Sequence, residues 1–144
     1  MLSKVFSQYS DYTPFVLRVV LAIVFIAHGY QKLFVMGVPA VGEMFAGLGI
    51  PLALLAAWVV ALVEFVGGIA LLLGLFARYA ALLIAIVMVV AAVKVKLAVG
   101  LIASMGSPMP GAELDLALLA GAIGVLLSGP GKWALERVWF KREF

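Results

Sequence analysis

The feature that most limits what this chain can fold into is a set of long apolar runs with almost no charge inside them. Three stand out: Phe15 to about Phe34, Pro51 to Phe76, and Tyr79 through LLIAIVMVVAAV to Lys94. A shorter one follows, from about Leu114 to Leu127, stopped by SGPG. A run of about 20 apolar residues crosses roughly 30 Å of hydrocarbon as a helix. In lipid no water can pair a backbone N–H or C=O, so such segments must be helical. Composition supports this: of 144 residues 67% are apolar and only 12% charged. A soluble domain has about half and about a quarter, and a chain this small has too little polar surface to hide the difference. A cleaved signal peptide is a poor alternative for the first run, because its basic leader is weak, its apolar stretch is long and more spans follow. The fold class expected is all-α, a single integral membrane domain over 1–144 built as a four-helix bundle.

The termini and connections refine this. Pro14 suits a first helical turn, where its missing N–H costs nothing. A tight turn is expected around Ala77 to Arg78. The fourth run is short for a span and calls for Glu113 and Asp115 at the interface, local thinning or help from neighbouring helices. Residues 35–50, VMGVPAVGEMFAGLGI, are too apolar for a solvated loop and suit a short helix covering the outer mouth. Residues 100–112, with glycines, Pro108 and Pro110, suit an irregular cover. The tail GKWALERVWFKREF mixes Trp133, Trp139 and Phe140 with basic residues, as in an amphipathic segment at a headgroup boundary.

Charge fixes the expected orientation. With the N-terminus inside, Lys4, Arg78, Lys132, Arg137, Lys141 and Arg142 lie inside, with Arg18 near that end. Lys32, Lys94 and Lys96 lie outside. The positive-inside bias places both termini in the cytoplasm of a multi-pass protein. The basic groups form no stripe with aromatics, so nucleic acid is not an expected partner. There is no cysteine, which removes disulfides, thiolate relays and cysteine-ligated clusters. The single histidine cannot give bis-histidine haem ligation, and no metal or haem is expected.

The stretch VFIAHGYQKLF, residues 24–34, carries that histidine and, one turn on, a lysine. At 100° per residue His28 and Lys32 share a face, with Arg18 on the same side. Charge facing lipid is costly, so this edge should face the bundle. Counting about 1.5 Å per residue puts His28 and Glu64 at depths of roughly 20 and 18 Å, and Lys94 at roughly 22 Å. Glu113 and Asp115 open the last helix on the same outer side. One polar cluster in the outer half is therefore expected. Lys94 and Lys96 cannot both point inward; Lys94, the deeper, is expected in the cluster, with Lys96 snorkelling. Glu43 is within reach of the site from the cover.

Two readings of the cluster stay open. Glu64 is either half of an ion pair locking two helices or part of a ligand and proton-transfer site, and His28 suits proton exchange near neutral pH. In the chemical reading His28 and Glu64 are catalytic, and Lys32, Lys94, Glu113 and Asp115 bind the substrate, a quinone-like head or a small anion. Arg18 is read as structural or as pairing with a lipid phosphate. Gly67 and Gly74 share a face that admits either a close helix or a flat ligand ring.

The elements LRVVLAIVFIAHGYQKL at 17–33, GIPLALLAAWVVALVEFVGGIALLLGLFARYAALLIAIVMVVA at 49–91 and ELDLALLAGAIGVLLSGPGKWALE at 113–136 together resemble the DoxX family of small prokaryotic four-helix membrane proteins. The residues carried over are Arg18, His28, Gly29, Lys32, Glu64, Gly67, Gly68, Gly74, Arg78, Gly129 and Gly131; Glu136 stands where the family commonly has an aspartate. The resemblance implies a location in the prokaryotic cytoplasmic (inner) membrane. It also implies a link to quinone-dependent oxidoreductases, such as a small subunit of a thiosulfate:quinone oxidoreductase, or to oxidative-stress complexes. A quinone would then be the cofactor. The lipid bilayer, a partner redox subunit and a second copy of the chain are the partners to consider. The alternative is a non-catalytic structural or assembly subunit of a membrane complex.

Overall fold

In the computed structural model, which describes Leu2 and residues 6–107 and 109–144, the chain is a bundle of helices with no strand among the described residues. Lys4 and Pro108 lie outside the described residues. Helix α1 spans Tyr12–Tyr30 and runs on through a π-helical turn, Gln31–Met36. Gly37, at φ +80°, breaks the helix and turns the chain into α2, Val38–Gly47, a conformation a residue without a Cβ takes at little cost. Helix α3 spans Ala53–Leu73. It is ended by Gly74 in the left-handed region (φ +63°), the usual way to terminate a helix. Helix α4 follows at Ala77–Ala91 and also ends in a π-helical turn, Ala92–Lys96. Helix α5 spans Glu113–Ser128, with Glu113 and Asp115 in its first turn, where acids complement the helix dipole. A short α6, Leu135–Trp139, lies in the tail.

The four long helices form a ring: α1 packs on α3, α3 on α4, α4 on α5 and α5 back on α1. Three of them, α1 with its π turn, α3, and α4 with its π turn, are long and apolar enough to cross a membrane. The fourth, α5, has 16 residues, about 24 Å. It falls short of the hydrocarbon thickness and depends on its neighbours, as its length leads one to expect. The core joins Leu21, Ala22 and Phe25 of α1 to Leu71 of α3, Ile84 and Met88 of α4, and Ala122 and Val125 of α5. The outward faces are as apolar as the inner ones: Val16, Val20 and Ile23 on α1, Leu62 and Val66 on α3, and Ile86 and Val89 on α4 are all exposed. An apolar exterior of this extent belongs in lipid, not water.

The 35–50 segment is the cover expected. Val38, Val41 and Phe45 of α2 are buried against Ala57 and Ala61 of α3. Gly42 sits against Leu54, where a Cβ would stand 3.2 Å from its Cα. The turn expected around Ala77 to Arg78 lies slightly earlier, at Gly74–Phe76, because Gly74 and Phe76 both take positive φ and α4 already begins at Ala77.

At the end of the bundle that carries the described tail, one arginine holds three parts of the chain together. Arg18 is fully buried. Its Nε donates to the Pro130 carbonyl at 2.8 Å. Its Nη1 donates to Leu71 and Leu72 at 2.8 and 2.7 Å, and its Nη2 to Lys132 and Trp133, both at 2.9 Å. A guanidinium has five N–H donors, and all are used on backbone carbonyls, so none is left for a lipid phosphate. The pairing is with the protein's own loop and with the end of α3. Glu136 is also fully buried, lies within electrostatic reach of Arg18 and accepts from the Ala77 N–H at 3.2 Å. The tail is thus amphipathic in an inverted sense: its acid faces inward while Trp133, Val138, Trp139 and Phe140 face outward, the arrangement suited to a lipid boundary. Gly74 makes the closure possible. A Cβ there would stand 2.7 Å from the Cα of Ala134 and 2.9 Å from the Arg18 guanidinium carbon. Arg78 closes the neighbouring corner, donating to the last-turn carbonyls of α5 at Leu126 and, at 3.1 Å, Leu127.

Candidate functional site

In the other half of the bundle α1, α2, α3, α4 with its π turn, and α5 enclose a cavity of about 450 Å³. Its wall is mostly apolar, with Phe25 of α1, Phe45 of α2, Val60 of α3, Val87 and Met88 of α4 and Leu118 of α5. Five ionisable side chains line it: His28, Lys32, Glu64, Lys96 and Asp115. The volume and the mix of apolar wall with few polar groups are those of a small-molecule site.

Each polar group arrives by a traceable route. His28 sits near the end of α1, and its Nδ1 lies 2.9 Å from the Val24 carbonyl. A carbonyl only accepts, so Nδ1 carries the hydrogen; in the neutral ring Nε2 then keeps its lone pair for the cavity. One turn on, Lys32 donates from Nζ to Oε2 of Glu64 at 2.5 Å. Both are withdrawn from solvent, with side-chain exposures of 16% and 4%. This bond ties α1 to α3. It forms because the two backbones approach closely. A Cβ on Gly29 would stand 2.7 Å from the Cα of Phe65, and one on Gly68 would stand 2.9 Å from the Ile26 nitrogen. His28 lies within electrostatic reach of both acids, Glu64 and Asp115. Asp115, on the first turn of α5, is also within reach of Lys96, and its buried Oδ2 has no hydrogen-bond partner.

The cluster expected from matched depths therefore exists as a set of neighbours, with changes of membership. Lys94 is exposed and outside the cavity, while Lys96 lines it, the reverse of the expectation. Depth favours Lys94, but depth does not give direction; the stretch is also a π turn, Ala92–Lys96. A π turn takes more residues per turn than an α-helix, so a count at 100° per residue loses the direction of the side chains beyond Ala91. Glu113 is exposed and does not line the cavity; it is placed against Gly111 and Leu101 of the preceding loop. Glu43 points outward from the cover and also stays outside. None of Gly67, Gly68 and Gly74 borders the cavity, so they leave no room for a ligand ring there. Gly68 serves the contact with α1, Gly74 serves the Arg18 closure, and Gly67 has ordinary contact with Ile84. Lys96 as a cavity residue, and Met109 and Pro110 from the loop before α5, were missed by helical counting. The density of π turns after apolar helices gives no local sequence signal that finds them. No group of three or more metal-ligating side chains occurs among the described residues.

Comparison with known proteins agrees with this architecture. The DoxX family model matches residues 13–97, the stretch holding α1 to the end of the second π turn. The chain is 37% identical over 132 residues to "Uncharacterized membrane protein Rv3486" of Mycobacterium tuberculosis, covering 88% of this chain and 80% of that one. It is 32% identical over 126 residues to "Putative oxidoreductase CatD" of Bacillus subtilis, covering 87% and 85%. No solved structure matches it. With more than half its length under the family model and relatives aligned over most of both chains, this protein is a helical membrane protein of the DoxX family.

Proposed function

We propose that the chain is the membrane subunit of a quinone-linked redox system of the prokaryotic cytoplasmic membrane, and that its cavity takes a quinone-type head. The observation that carries this reading is the cavity itself: about 450 Å³ with an apolar wall and charge of both signs. Lys32 and Lys96 offset Glu64 and Asp115, so the lining is close to neutral overall. A bare anion would gain little there, whereas a neutral ring with polar oxygens finds both wall and partners. The residues fit such a group. The Lys96 ammonium supplies donors for a carbonyl oxygen. Phe25 and Phe45 supply flat apolar contact. Nε2 of His28, between two acids, holds or passes a proton at the cavity edge. A bound quinone would supply the electron-accepting chemistry that these side chains lack. The name of the Bacillus relative, an oxidoreductase, points the same way. In this reading a partner redox subunit delivers the electrons.

The rival reading, an assembly subunit, is favoured by one observation: Lys32 and Glu64 already form a closed bond between α1 and α3. Protein gently extracted from native membrane distinguishes them. The proposal expects a quinone by mass spectrometry of the lipid extract, and binding of a short-chain quinone that His28→Ala and Lys96→Ala each weaken about tenfold or more without unfolding the protein. A reproducible partner protein with no quinone bound, and no effect of either substitution, would leave the assembly role. The orientation proposed puts both termini in the cytoplasm, since Arg78, Lys132, Arg137, Lys141 and Arg142 lie at the Arg18 end. A reporter fused after Glu143 that reads periplasmic would reverse it.

A further inference from the structure

Resting on that reading, the cavity carries a sharper statement about which form of the ligand it holds. Its polar inventory is unbalanced in a definite way. Lysine groups only donate, and a quinone carbonyl can satisfy them. Asp115 lines the same cavity, its Oδ2 is buried, and no donor of the protein reaches it. A carboxylate only accepts, and a buried acceptor left without a donor is costly. Neighbouring groups do not fill the role. Lys32 is engaged by Glu64, and Lys96, the nearest cation in electrostatic terms, makes no ion pair with Asp115 within 4.0 Å. His28 has given its Nδ1 hydrogen to Val24, so in the neutral ring it is a second acceptor within reach of the first.

A ligand oxygen that meets this arrangement must bring its own hydrogen. A hydroxyl does so and can still accept from an ammonium group; a carbonyl or an ether cannot. We propose that Asp115 makes the cavity selective for the hydroxyl-bearing, reduced form of a quinone-type head, the ligand's O–H donating to the Asp115 carboxylate. Asp115 is then a specificity-determining residue, and the site is one that takes in a quinol more tightly than it takes in the quinone.

Equilibrium dialysis of the purified protein in detergent, under argon, tests this with three probes of one ring size: tetramethylhydroquinone, its bis-methyl ether and tetramethylquinone. The wild type is expected to bind the hydroquinone at least about tenfold more tightly than the ether or the quinone, the worth of one hydrogen bond to a charged group. Asp115→Leu should erase that preference and leave the quinone bound no more weakly. Asp115→Asn keeps shape and polarity, and it should narrow the preference; it decides alone should Asp115→Leu fail to fold. Equal binding of all three probes to the wild type, or a preference that survives both substitutions, overturns the selectivity while leaving the quinone site standing. A wild type that binds none of the three overturns both.

Discussion

Replacing Arg18 by methionine keeps the length and apolar stem of the side chain and removes only the guanidinium. The consequences can be worked through bond by bond. Leu71 keeps a second partner, the Gly74 N–H at 3.1 Å. The Pro130 carbonyl, in a buried bond, is left unpaired at about 1–3 kcal/mol. The bonds to Leu72, Lys132 and Trp133 are part-buried; water can replace the donor there, at about 0.5–1.5 kcal/mol each. Glu136, fully buried and within electrostatic reach of Arg18 but not ion-paired with it, loses a longer-range attraction in addition. The hydrogen-bond losses alone come to about 3–7 kcal/mol, a large part of a whole domain's stability. At about 2–4 °C per kcal/mol the melting temperature falls by at least about 6 °C, or the protein is not recovered folded. Trp133 packs edge-on against Phe15 at 4.8 Å, so its fluorescence during heating in detergent reports on this corner. Adding Glu136→Gln should restore part of the loss, because it removes the stranded charge. A melting temperature for Arg18→Met within about 2 °C of wild type would refute this account, as would a second substitution that restores nothing.

The two adjacent glycines of α3 should part company. Gly68→Ala puts a Cβ 2.9 Å from the backbone nitrogen of Ile26 and is expected to cost about 1–3 kcal/mol, whereas Gly67→Ala meets only the side-chain end of Ile84 at 3.5 Å and is expected to be neutral or to gain up to about 1 kcal/mol in helix propensity; equal melting temperatures for the two would count against the packing described. Lys32→Met strands Glu64 in the interior, at a cost of about 3–5 kcal/mol, most of which Glu64→Gln should return in the double variant; additive losses in a double-mutant cycle would mean that the pair is not coupled.

The spans were legible because lipid leaves a backbone no other choice, and the length of an apolar run is read directly from the letters. The cover was legible for a related reason: residues 35–50 are too apolar to stand in water. His28, Lys32, Glu64 and Asp115 were found as cavity neighbours by a count of rise per residue, which works inside regular helix. It failed at Lys94 and Lys96, where the count ran through a π turn. The purpose of Arg18 was half legible. That it was buried followed from its place in a span, but its partners are carbonyls of residues 71, 72, 130, 132 and 133, and backbone acceptors carry no mark in a sequence. The glycines stayed open between a close helix and a ligand ring for the same reason. EFVGG announces a close approach, but only the fold says that the neighbour is another helix and not a ligand.

The five hydrogen bonds of Arg18 also set an order on synthesis. The first helix carries its arginine into the bilayer long before the residues that satisfy it exist. Two acceptors arrive with the end of α3, but Pro130, Lys132 and Trp133 follow only after α5. Until then the guanidinium lacks three of its five partners, and a charge in that state is costly in hydrocarbon and favours the headgroup boundary. The helices can therefore enter the membrane one after another, yet the ring is fastened at this end only once the loop after α5 has been made. A nascent chain halted after Ser128 holds all four long helices and lacks the three carbonyls that fasten them, so closure of this end waits on the loop that follows α5.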